Sequence, residues 1–315
     1  SLYIKEVIER NKKMEETLLE FYLEKLEYNK RPEFLNKYLD TPCLKRLKKV
    51  CYFCGMDYAS KDIYNFKEKI TRYDHSLTVA LLTWKCSKDK KATIAGLFHD
   101  IATPCFSHVI DYMNKDYENQ ESTEENTEKI LKGDVYLNKC LEEDNIDIED
   151  IINFKQYNIV DNDRPKVCAD RLDGVILTGI SWTKNVDYKD IKDIINDIEI
   201  YDNEIGFKTK NIANRVLEIS ESIDIYCHSN EDNYMMQLLA DITKYGIDNE
   251  YITYEELYVA NEEEIMSKLK QTNDVRLLKY LDKFENITAD EIPTFDLPNV
   301  KIRDLNPLVQ GKRIK

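Results

Sequence analysis

Two consecutive stretches decide the fold: Arg72-Tyr73-Asp74-His75-Ser76-Leu77 and, after a short connection, Ala95-Gly96-Leu97-Phe98-His99-Asp100-Ile101. Each belongs to a run in which apolar residues recur at the helical spacing i, i+3, i+4, i+7. These residues are Leu77, Ala80, Leu81 and Trp84 in the first run, and Ile94, Leu97, Phe98 and Ile101 in the second. Because the connection around residues 88–91 is short and charged, we expect the two helices to pack antiparallel. That packing would bring His75 close to His99 and Asp100.

His99 and Asp100 are adjacent, and adjacent side chains on a helix point about 100° apart. Both can face one ion only where a helix ends or becomes irregular, and Pro104 just downstream is typical of such a break. A further pair of carboxylates follows in Val167-Cys168-Ala169-Asp170-Arg171-Leu172-Asp173. Asp170 and Asp173 lie on one helical stripe, which places Asp173 to orient a ligating histidine by accepting its second ring N–H group.

Imidazole and carboxylate ligands together suit a first-row divalent ion such as Fe, Mn, Ni or Zn. Four protein ligands on an octahedral ion leave positions for water and a substrate oxygen. The bound water becomes a hydroxide near neutral pH and can attack phosphorus. We therefore expect one divalent transition metal. A second metal is disfavoured, because only His108 and His228 remain, and His228 near a helix end is interpreted as structural.

The flanking residues resemble the HD-domain superfamily of metal-dependent phosphohydrolases, and in particular its deoxynucleoside triphosphate triphosphohydrolase branch. The similarity rests on Thr71-Arg72-Tyr73-Asp74-His75-Ser76-Leu77, on the His99-Asp100 stretch and on Phe106-Ser107-His108. It covers roughly residues 70–180. The resemblance implies an all-α HD-domain helical bundle and a metal-dependent phosphohydrolase that acts on a nucleotide or other small phosphate ester.

Position by position, the resemblance implies a metal site, two arginines that contact phosphate and a histidine that faces the polyphosphate. Because two histidines that assist catalysis in the family are missing, this histidine and a nearby glutamate are the candidates that would supply a proton in their place. These residues are His75, His99, Asp100 and Asp170 for the metal, Arg72 and Arg171 for the substrate, and His108 and Glu121 for catalysis. An arginine fork suits bidentate binding of phosphate oxygens. For Arg72, a surface salt bridge is the alternative interpretation.

Three positions depart from the family's pattern. A family histidine is replaced by Thr103, the family's His-Glu pair reads Gln120-Glu121, and an aromatic position is occupied by Gly174. The candidate ligands are unaffected. These changes motivate a second hypothesis, in which the protein is a metal-containing nucleotide-binding or regulatory module with little or no turnover.

The composition, with 33% charged and 42% hydrophobic residues, is typical of a globular protein. The formal net charge of −15 makes nucleic-acid binding an unfavourable hypothesis. It also means that a phosphate site needs local cations or a metal. No apolar run approaches the roughly 18 residues of a membrane span, and the N-terminus has no apolar signal core. We therefore expect a cytoplasmic protein that does not bind membranes; the 21 tyrosines are compatible with a homo-oligomer.

The remaining chain is expected to be helical, because it holds only 8 glycines and 7 prolines. Further helices are predicted at about 2–28, 107–115, 121–132, 136–143, 166–180, 209–230, 232–245 and 274–284. The residues Thr253-Tyr254-Glu255-Glu256 have capping-box spacing before another helix. Residues 183–210 are interpreted as a connection or insertion, and residues 292–302 as a short edge strand or hairpin.

These features predict a helical core over residues 1–182, a helical extension over 183–290, and a strand or hairpin with a basic tail over 291–315. The tail carries Lys301, Arg303, Lys312, Arg313 and Lys315. It is interpreted as solvated, with a phosphate or partner contact as the alternative. Cys51 and Cys54 form a CxxC pair without a second pair at zinc-ribbon spacing. Packed cysteines are the favoured interpretation, and a redox pair or metal clip is the other.

Overall fold

The computed structural model describes residues 1–11, 16–115, 126–295, 297 and 301–315. The first helices are α1 Leu2–Asn11, α2 Leu18–Lys25, α3 Leu35–Leu39, α4 Pro42–Arg46, α5 Arg72–Ser87, α6 Lys90–Phe98, α7 Val109–Met113, α8 Thr127–Gly133, α9 Val135–Glu143 and α10 Glu149–Ile152. The later helices are α11 Ala169–Ser181, α12 Tyr188–Asp197, α13 Lys210–Cys227, α14 Asn230–Asp248, α15 Glu256–Val259, α16 Glu262–Lys270 and α17 Val275–Asn286.

Four short strands form one sheet in the order β1-β2-β3-β4. They are β1 Ile198–Tyr201, β2 Glu204–Phe207, β3 Leu308–Val309 and β4 Lys312–Arg313. The pairs β1–β2 and β3–β4 are antiparallel, and β3 joins β2 in parallel. The C-terminal strands are therefore held against a hairpin about a hundred residues earlier in the chain.

The all-α fold class is confirmed, with strands limited to this small sheet. The predicted short C-terminal hairpin is present as β3 and β4, but it begins at Leu308, whereas the described residues of the stretch 292–302, where it was expected, form no strand. The hairpin at residues 198–207 was not predicted, because a four-residue strand offers too little alternation to stand out from a charged segment. The predicted capping box is present, since Thr253 and Glu256 exchange both of its hydrogen bonds.

Helices α5 and α6 begin at well-formed caps. The Thr71 side chain accepts from the backbone N–H of Asp74, whose carboxylate accepts from the backbone N–H of Thr71, and this reciprocal pair starts α5. At the start of α6, the side chain of Asp89 accepts a single capping hydrogen bond from the backbone N–H of Ala92. Helix α6 ends at Phe98, so His99 and Asp100 follow its last turn, as their adjacency required.

Two clusters of buried apolar residues stabilise the chain. One contains side chains of α2, α5, α6, α11 and α13, and the other packs α7 against α14, α16 and α17. Phe66 and Trp182 contact both clusters. The candidate site lies where the two clusters meet, because α5 and α11 carry its polar side chains on faces that the first cluster holds in place. No helix in the described part of the chain is long and apolar enough to cross a membrane.

Candidate metal centre and its pocket

Three segments bring polar side chains to one point. His75 lies in the first turn of α5, His99 and Asp100 follow the end of α6, and Asp170 lies in the first turn of α11. The Nε2 atom of His75 is 3.0 Å from Oδ1 of Asp170, and the Nε2 atom of His99 is 3.2 Å from the same oxygen. These three side chains form a group whose ligand atoms are close enough to hold one metal ion.

Asp100 lies at the edge of this group. One of its carboxylate oxygens is 3.5 Å from Nε2 of His75, and the other is 3.6 Å from Nε2 of His99. The structure therefore brings together all four residues that the resemblance implies as metal ligands, with Asp100 slightly further from the centre than Asp170.

The opposite ring nitrogens of both histidines are engaged. The Nδ1 atom of His75 is 2.7 Å from Oδ2 of Asp173, and the Nδ1 atom of His99 is 2.7 Å from the carbonyl oxygen of Gly96. An acceptor at Nδ1 places the proton of a neutral imidazole there, which directs the Nε2 lone pair towards the centre. Asp173 is itself fully buried and also accepts from Tyr22 and Thr78. It therefore lies where the helical spacing predicted.

The electrostatics of the group favour a bound cation. Burial alone would lower the pKa of His99, but the carboxylates of Asp100 and Asp170 outweigh it and raise that pKa to about 10. The pKa of His75 is also raised, because Asp170 and Asp173 outweigh its burial. Burial would raise the pKa of the Asp170 carboxyl group. The two histidines outweigh this effect and hold that pKa well below its usual range. The Nε2 lone pairs of His75 and His99 lie 3.0 and 3.2 Å from Oδ1 of Asp170. Atoms that all carry negative charge can lie this close only with positive charge between them, either protons or a metal ion. The donor set thus fits a divalent transition metal.

Arg72 is buried beside this group. Its guanidinium donates to Oδ2 of Asp100 at 3.0 Å, to the carbonyl oxygen of Tyr52 at 2.9 Å and to Ser107 at 3.2 Å. Its Nε atom is buried without a hydrogen-bond partner among the described residues. The ion pair predicted as the alternative for Arg72 exists, but it is buried rather than on the surface, and it holds Asp100 in place.

Arg171, next to the candidate ligand Asp170, is tied to a loop. It forms a 3.2 Å ion pair with Asp161 and donates to Asn162 and to the carbonyl oxygen of Lys166. Arg171 still lines the pocket.

His108 also lines the pocket and is held by a buried carboxylate. Its Nδ1 atom is 2.8 Å from Oδ2 of Asp111, which is fully buried. The other catalytic candidate, Glu121, and its neighbour Gln120 lie outside the described residues. His228 is exposed, and its ring donates to the carbonyl oxygen of Asp224 at 2.6 Å, which fits the structural role expected for it.

A cavity of about 300 Å³ opens from the metal group. Its lining includes both cations and aromatic rings. The cations are Arg72, Arg164, Arg171, Lys301 and Arg303, and the rings include Tyr52, Phe53, Tyr64, Phe66, Tyr112 and Trp182. Asp232 lies among the rings, accepts from the hydroxyl group of Tyr64 at 2.5 Å, and is buried, which raises the pKa of its carboxyl to about 7.

Sequence reasoning missed Tyr52, Arg164 and Asp232 among these pocket residues, whereas Lys301 and Arg303 belong to the tail for which a phosphate or partner contact was the alternative interpretation. Tyr52 lies inside the CxxC motif, in which only the cysteines carry a recognisable sequence signal. Its ring is 5.1 Å from that of His75 and lies under the Arg72 guanidinium. Cys51 and Cys54 are free thiols, and neither joins a metal-compatible group in the part of the chain that is described.

Comparison with known proteins agrees with this architecture. Residues 72–176 match the model of the HD domain family. The uncharacterised protein YdhJ of Bacillus subtilis (strain 168) is 32% identical over 113 residues, which are 35% of this chain and 34% of that protein. The match thus spans about a third of this relative's length.

Two solved structures share the fold. A hypothetical protein from Aquifex aeolicus has a TM-score of 0.57 at 18% identity, over 81% of this chain and 71% of that one. A phosphohydrolase from Bacteroides thetaiotaomicron has a TM-score of 0.53 at 16% identity, over 80% and 73% of the two chains. The resemblance to the HD domain is confirmed over residues 72–176. These comparisons do not distinguish the deoxynucleoside triphosphate triphosphohydrolase branch from others.

Proposed function

We propose that this chain, with an HD domain at residues 72–176, is a metal-dependent phosphohydrolase that acts on a nucleotide. One observation carries the proposal. The Nε2 atoms of His75 and His99 meet a single oxygen of Asp170, and this group opens into a cavity lined by both cations and aromatic rings.

The metal ion would be held by His75, His99 and Asp170, with Asp100 as the fourth ligand. When bound, such an ion supplies Lewis-acid activation of water and of a phosphoryl oxygen. Asp173 and the carbonyl oxygen of Gly96 keep both imidazoles in the tautomer that ligation requires. This preorganisation matters because a ligand that must first change its tautomer or rotate binds the ion less tightly.

The cations of the pocket would neutralise the phosphate. A chain with a net charge of −15 repels polyphosphates at long range, so local positive charge is needed for binding. Arg171 is braced by Asp161 and Asn162, which fixes its guanidinium without further loss of side-chain entropy on binding. Fixed cations of this kind stabilise charge that develops on phosphate oxygens in the transition state.

His108 is the best candidate for proton transfer. Its Nδ1 atom is engaged by the buried Asp111, so the proton can be gained and lost at Nε2. A carboxylate that orients a histidine in this way is a common feature of acid–base catalysis. His108 would donate a proton to the leaving oxygen or accept one from the attacking water.

The aromatic rings of the cavity lining favour a nucleotide over a simple phosphate ester. The rings of Phe53 and Phe66 are stacked at 4.5 Å, and Tyr64 and Trp182 extend this wall. A planar base can stack on such rings. The Asp232 carboxyl group, which accepts from Tyr64 through Oδ1, would offer a polar partner to an N–H group of the base.

One observation favours the second hypothesis, a nucleotide-binding module with little turnover. Thr103 is almost completely buried, and its carbonyl oxygen accepts from Arg46. Position 103 therefore offers a buried threonine where the resembled family has an imidazole. The binding module and the hydrolase differ in turnover alone, so a kinetic experiment separates them.

The test is to incubate the protein, with its metal content measured, with nucleoside mono-, di- and triphosphates and with simple phosphate esters. Asp170→Ala removes the central ligand, and Asp248→Ala is the matched control, because Asp248 is an exposed carboxylate at the end of α14. We expect nucleotide hydrolysis that is lost in Asp170→Ala and retained in Asp248→Ala. Bound metal and bound nucleotide without hydrolysis would favour the binding module. Failure to bind Fe, Mn, Ni or Zn would refute the metal centre.

A further inference from the structure

We infer that Glu262, a buried carboxylate of α16 outside the cavity lining, is a positioning residue that fixes two pocket loops relative to each other. The Tyr52 loop consists of residues 51–54, and the His108 loop consists of residues 103–108. The inference rests on the proposed function only for the role of His108 in turnover. The placement of the loops follows from contacts within the chain and can be measured without turnover.

The Glu262 carboxylate joins the two loops with one oxygen each. Its Oε2 atom accepts from the backbone N–H of Cys51 at 3.0 Å, and its Oε1 atom accepts from the backbone N–H of Phe106 at 2.8 Å. Glu262 is fully buried, whereas the two glutamates that follow it, Glu263 and Glu264, are exposed. Burial of a carboxylate is costly unless hydrogen bonds compensate it, so these two bonds stabilise the carboxylate as well as the loops.

Arg72 joins the same two loops one residue further along each. Its Nη2 atom donates to the carbonyl oxygen of Tyr52 at 2.9 Å and to Oγ of Ser107 at 3.2 Å. Cys51 and Phe106, whose N–H groups the carboxylate binds, directly precede Tyr52 and Ser107. Each loop is therefore attached twice, to a cation that lines the cavity and to an anion outside its lining.

The backbone of the His108 loop needs this support. Phe106 and Ser107 have φ angles of 67° and 47°, a left-handed conformation that residues other than glycine adopt rarely. The ring of Phe106 also packs closely on Gly55, where an added Cβ atom would lie 2.6 Å from the ring. The hydrogen bond from the N–H of Phe106 to Glu262 therefore secures an unfavourable turn two residues before His108.

Further contacts anchor the His108 loop to the segment that precedes α16. The backbone N–H of Cys105 donates to the carbonyl oxygen of Leu257 at 2.6 Å, and its thiol donates to that of Ala260 at 3.3 Å. Arg46 donates to the carbonyl oxygens of Leu257, Ala260 and Thr103. The carboxylate at the start of α16 extends this anchor to the Tyr52 loop.

The two loops carry groups whose separation matters for the reaction. Tyr52 and His108 both line the cavity, and the ring of Tyr52 is 5.1 Å from that of the candidate ligand His75. His108 is the candidate for proton transfer. A shift of either loop would change the distance between the metal group and this imidazole, and small misplacements of a reacting group lower the rate strongly.

The experiment compares Glu262→Gln with Glu68→Gln at pH 8, above the pKa of Glu262, which burial raises to about 7. Glutamine preserves the shape of the side chain but offers one acceptor oxygen, so one loop loses its bond. Glu68 is the matched control, because it is also buried and its two oxygens accept from the backbone N–H groups of Leu18 and Leu19 at 2.7 and 3.0 Å. Those bonds hold α2 and neither pocket loop.

A second variant covers the case in which Glu262→Gln does not fold. Glu262→Asp keeps the charge, but its shorter side chain cannot span both N–H groups. We expect it to have the same effects as Glu262→Gln, because the role depends on the position of both oxygens. Wild-type behaviour of Glu262→Asp would overturn the inference.

The first readout needs no turnover. The chain has four histidines, so isotope labelling of histidine gives four sets of ring signals in an NMR spectrum, which His108→Asn and His228→Asn help to assign. We expect the ring signals of His108 to shift in Glu262→Gln and to keep their wild-type positions in Glu68→Gln. Thermal unfolding should show a loss of stability in both variants, since both lose a buried hydrogen bond.

The second readout is kcat per bound metal ion, which counts only folded sites. We expect it to fall about 10- to 100-fold in Glu262→Gln and to change less than about threefold in Glu68→Gln. Unshifted His108 signals in Glu262→Gln, or equal shifts in both variants, would overturn the inference. Absence of turnover by the wild type would count against the proposed function alone, because the ring signals would still test the positioning role.

Discussion

The hydroxyl oxygen of Tyr52 lies 3.2 Å from the point that a Cβ atom on Gly174 would occupy. Gly174 stands in α11, one residue after Asp173, where the resembled family has an aromatic residue. The ring of Tyr52, from a distant part of the chain, fills the space beside this glycine. An aromatic ring from position 52 thus lies beside this glycine and next to the ring of His75.

This relationship predicts an effect of Gly174→Ala. The new methyl group would displace the Tyr52 hydroxyl by a few tenths of an ångström. Alanine in a helix is favoured over glycine by about 0.5–1 kcal/mol, so the free energy of unfolding should not fall. We expect KM for the nucleotide to rise about threefold to tenfold, since small misplacements near a reacting group are costly. Steady-state kinetics and thermal unfolding measure the two quantities.

Tyr52→Phe in the Gly174→Ala background provides the control. Removing the hydroxyl relieves the contact, so the second substitution should return KM towards the wild-type value. If Gly174→Ala alone retains the wild-type KM, the proximity of the two residues has no functional consequence.

A second prediction concerns Asp173→Asn. The amide oxygen can still accept from His75 and Thr78, and the amide N–H₂ can face the Tyr22 hydroxyl, so the packing is preserved. The negative charge behind His75 is lost, which makes its Nε2 atom a poorer ligand. We expect metal affinity to fall about 10- to 100-fold, measured by competition with a metal chelator. Tyr22→Phe, which removes one donor to Asp173 and keeps the charge, should have a smaller effect; equal effects would argue against a charge-based role.

A third prediction concerns proton transfer by His108. His108→Asn should lower kcat by about 10²–10⁴ without changing the metal content, because His108 is not one of the candidate ligands. Asp111→Asn should lower kcat less, since it disturbs only the orientation of the ring. His228→Asn is the control, because that histidine is exposed and bonded to its own helix. Wild-type turnover by His108→Asn would exclude the residue from catalysis.

A fourth prediction is a pH dependence of stability that arises at Glu262. This carboxyl group is fully buried and accepts from the backbone N–H groups of Cys51 and Phe106. Burial raises its pKa from 4.5 to about 7. The folded protein therefore retains a proton between these pH values that the unfolded chain releases. The contribution of Glu262 to stability is fully present below about pH 4.5 and is lost as the pH rises towards 7.

Each pKa unit corresponds to about 1.4 kcal/mol, so the loss attributable to Glu262 is about 3 kcal/mol across that range. Urea unfolding of the wild type and of Glu262→Gln at pH 5 and pH 7.5 measures it. We expect the stability difference between the two proteins to change with pH in favour of the variant at the higher pH. A difference that is independent of pH would show that the folded and unfolded pKa values are alike.

Much of the candidate site was predictable because its signals are local. A histidine in the first turn of α5, a His-Asp pair at the end of α6 and carboxylates three residues apart on α11 are properties of short stretches. Helical periodicity then indicates which side chains share a face. The convergence of His75, His99 and Asp170, and the position of Asp173 behind His75, follow from this periodicity and from the antiparallel packing of neighbouring helices.

The sequence by itself thus determined the helical class of the chain, the identity of its candidate ligands and the residues that begin and end the helices around them. The tertiary structure alone decided the shape and charge of the pocket. Arg164, Asp232, Lys301 and Arg303 come from distant segments, and nothing in their local sequences indicates a shared cavity. They meet because apolar residues such as Leu305 are buried and because a two-residue strand pairs with a distant hairpin. Burial of apolar surface and backbone pairing are non-local and carry no short sequence signature.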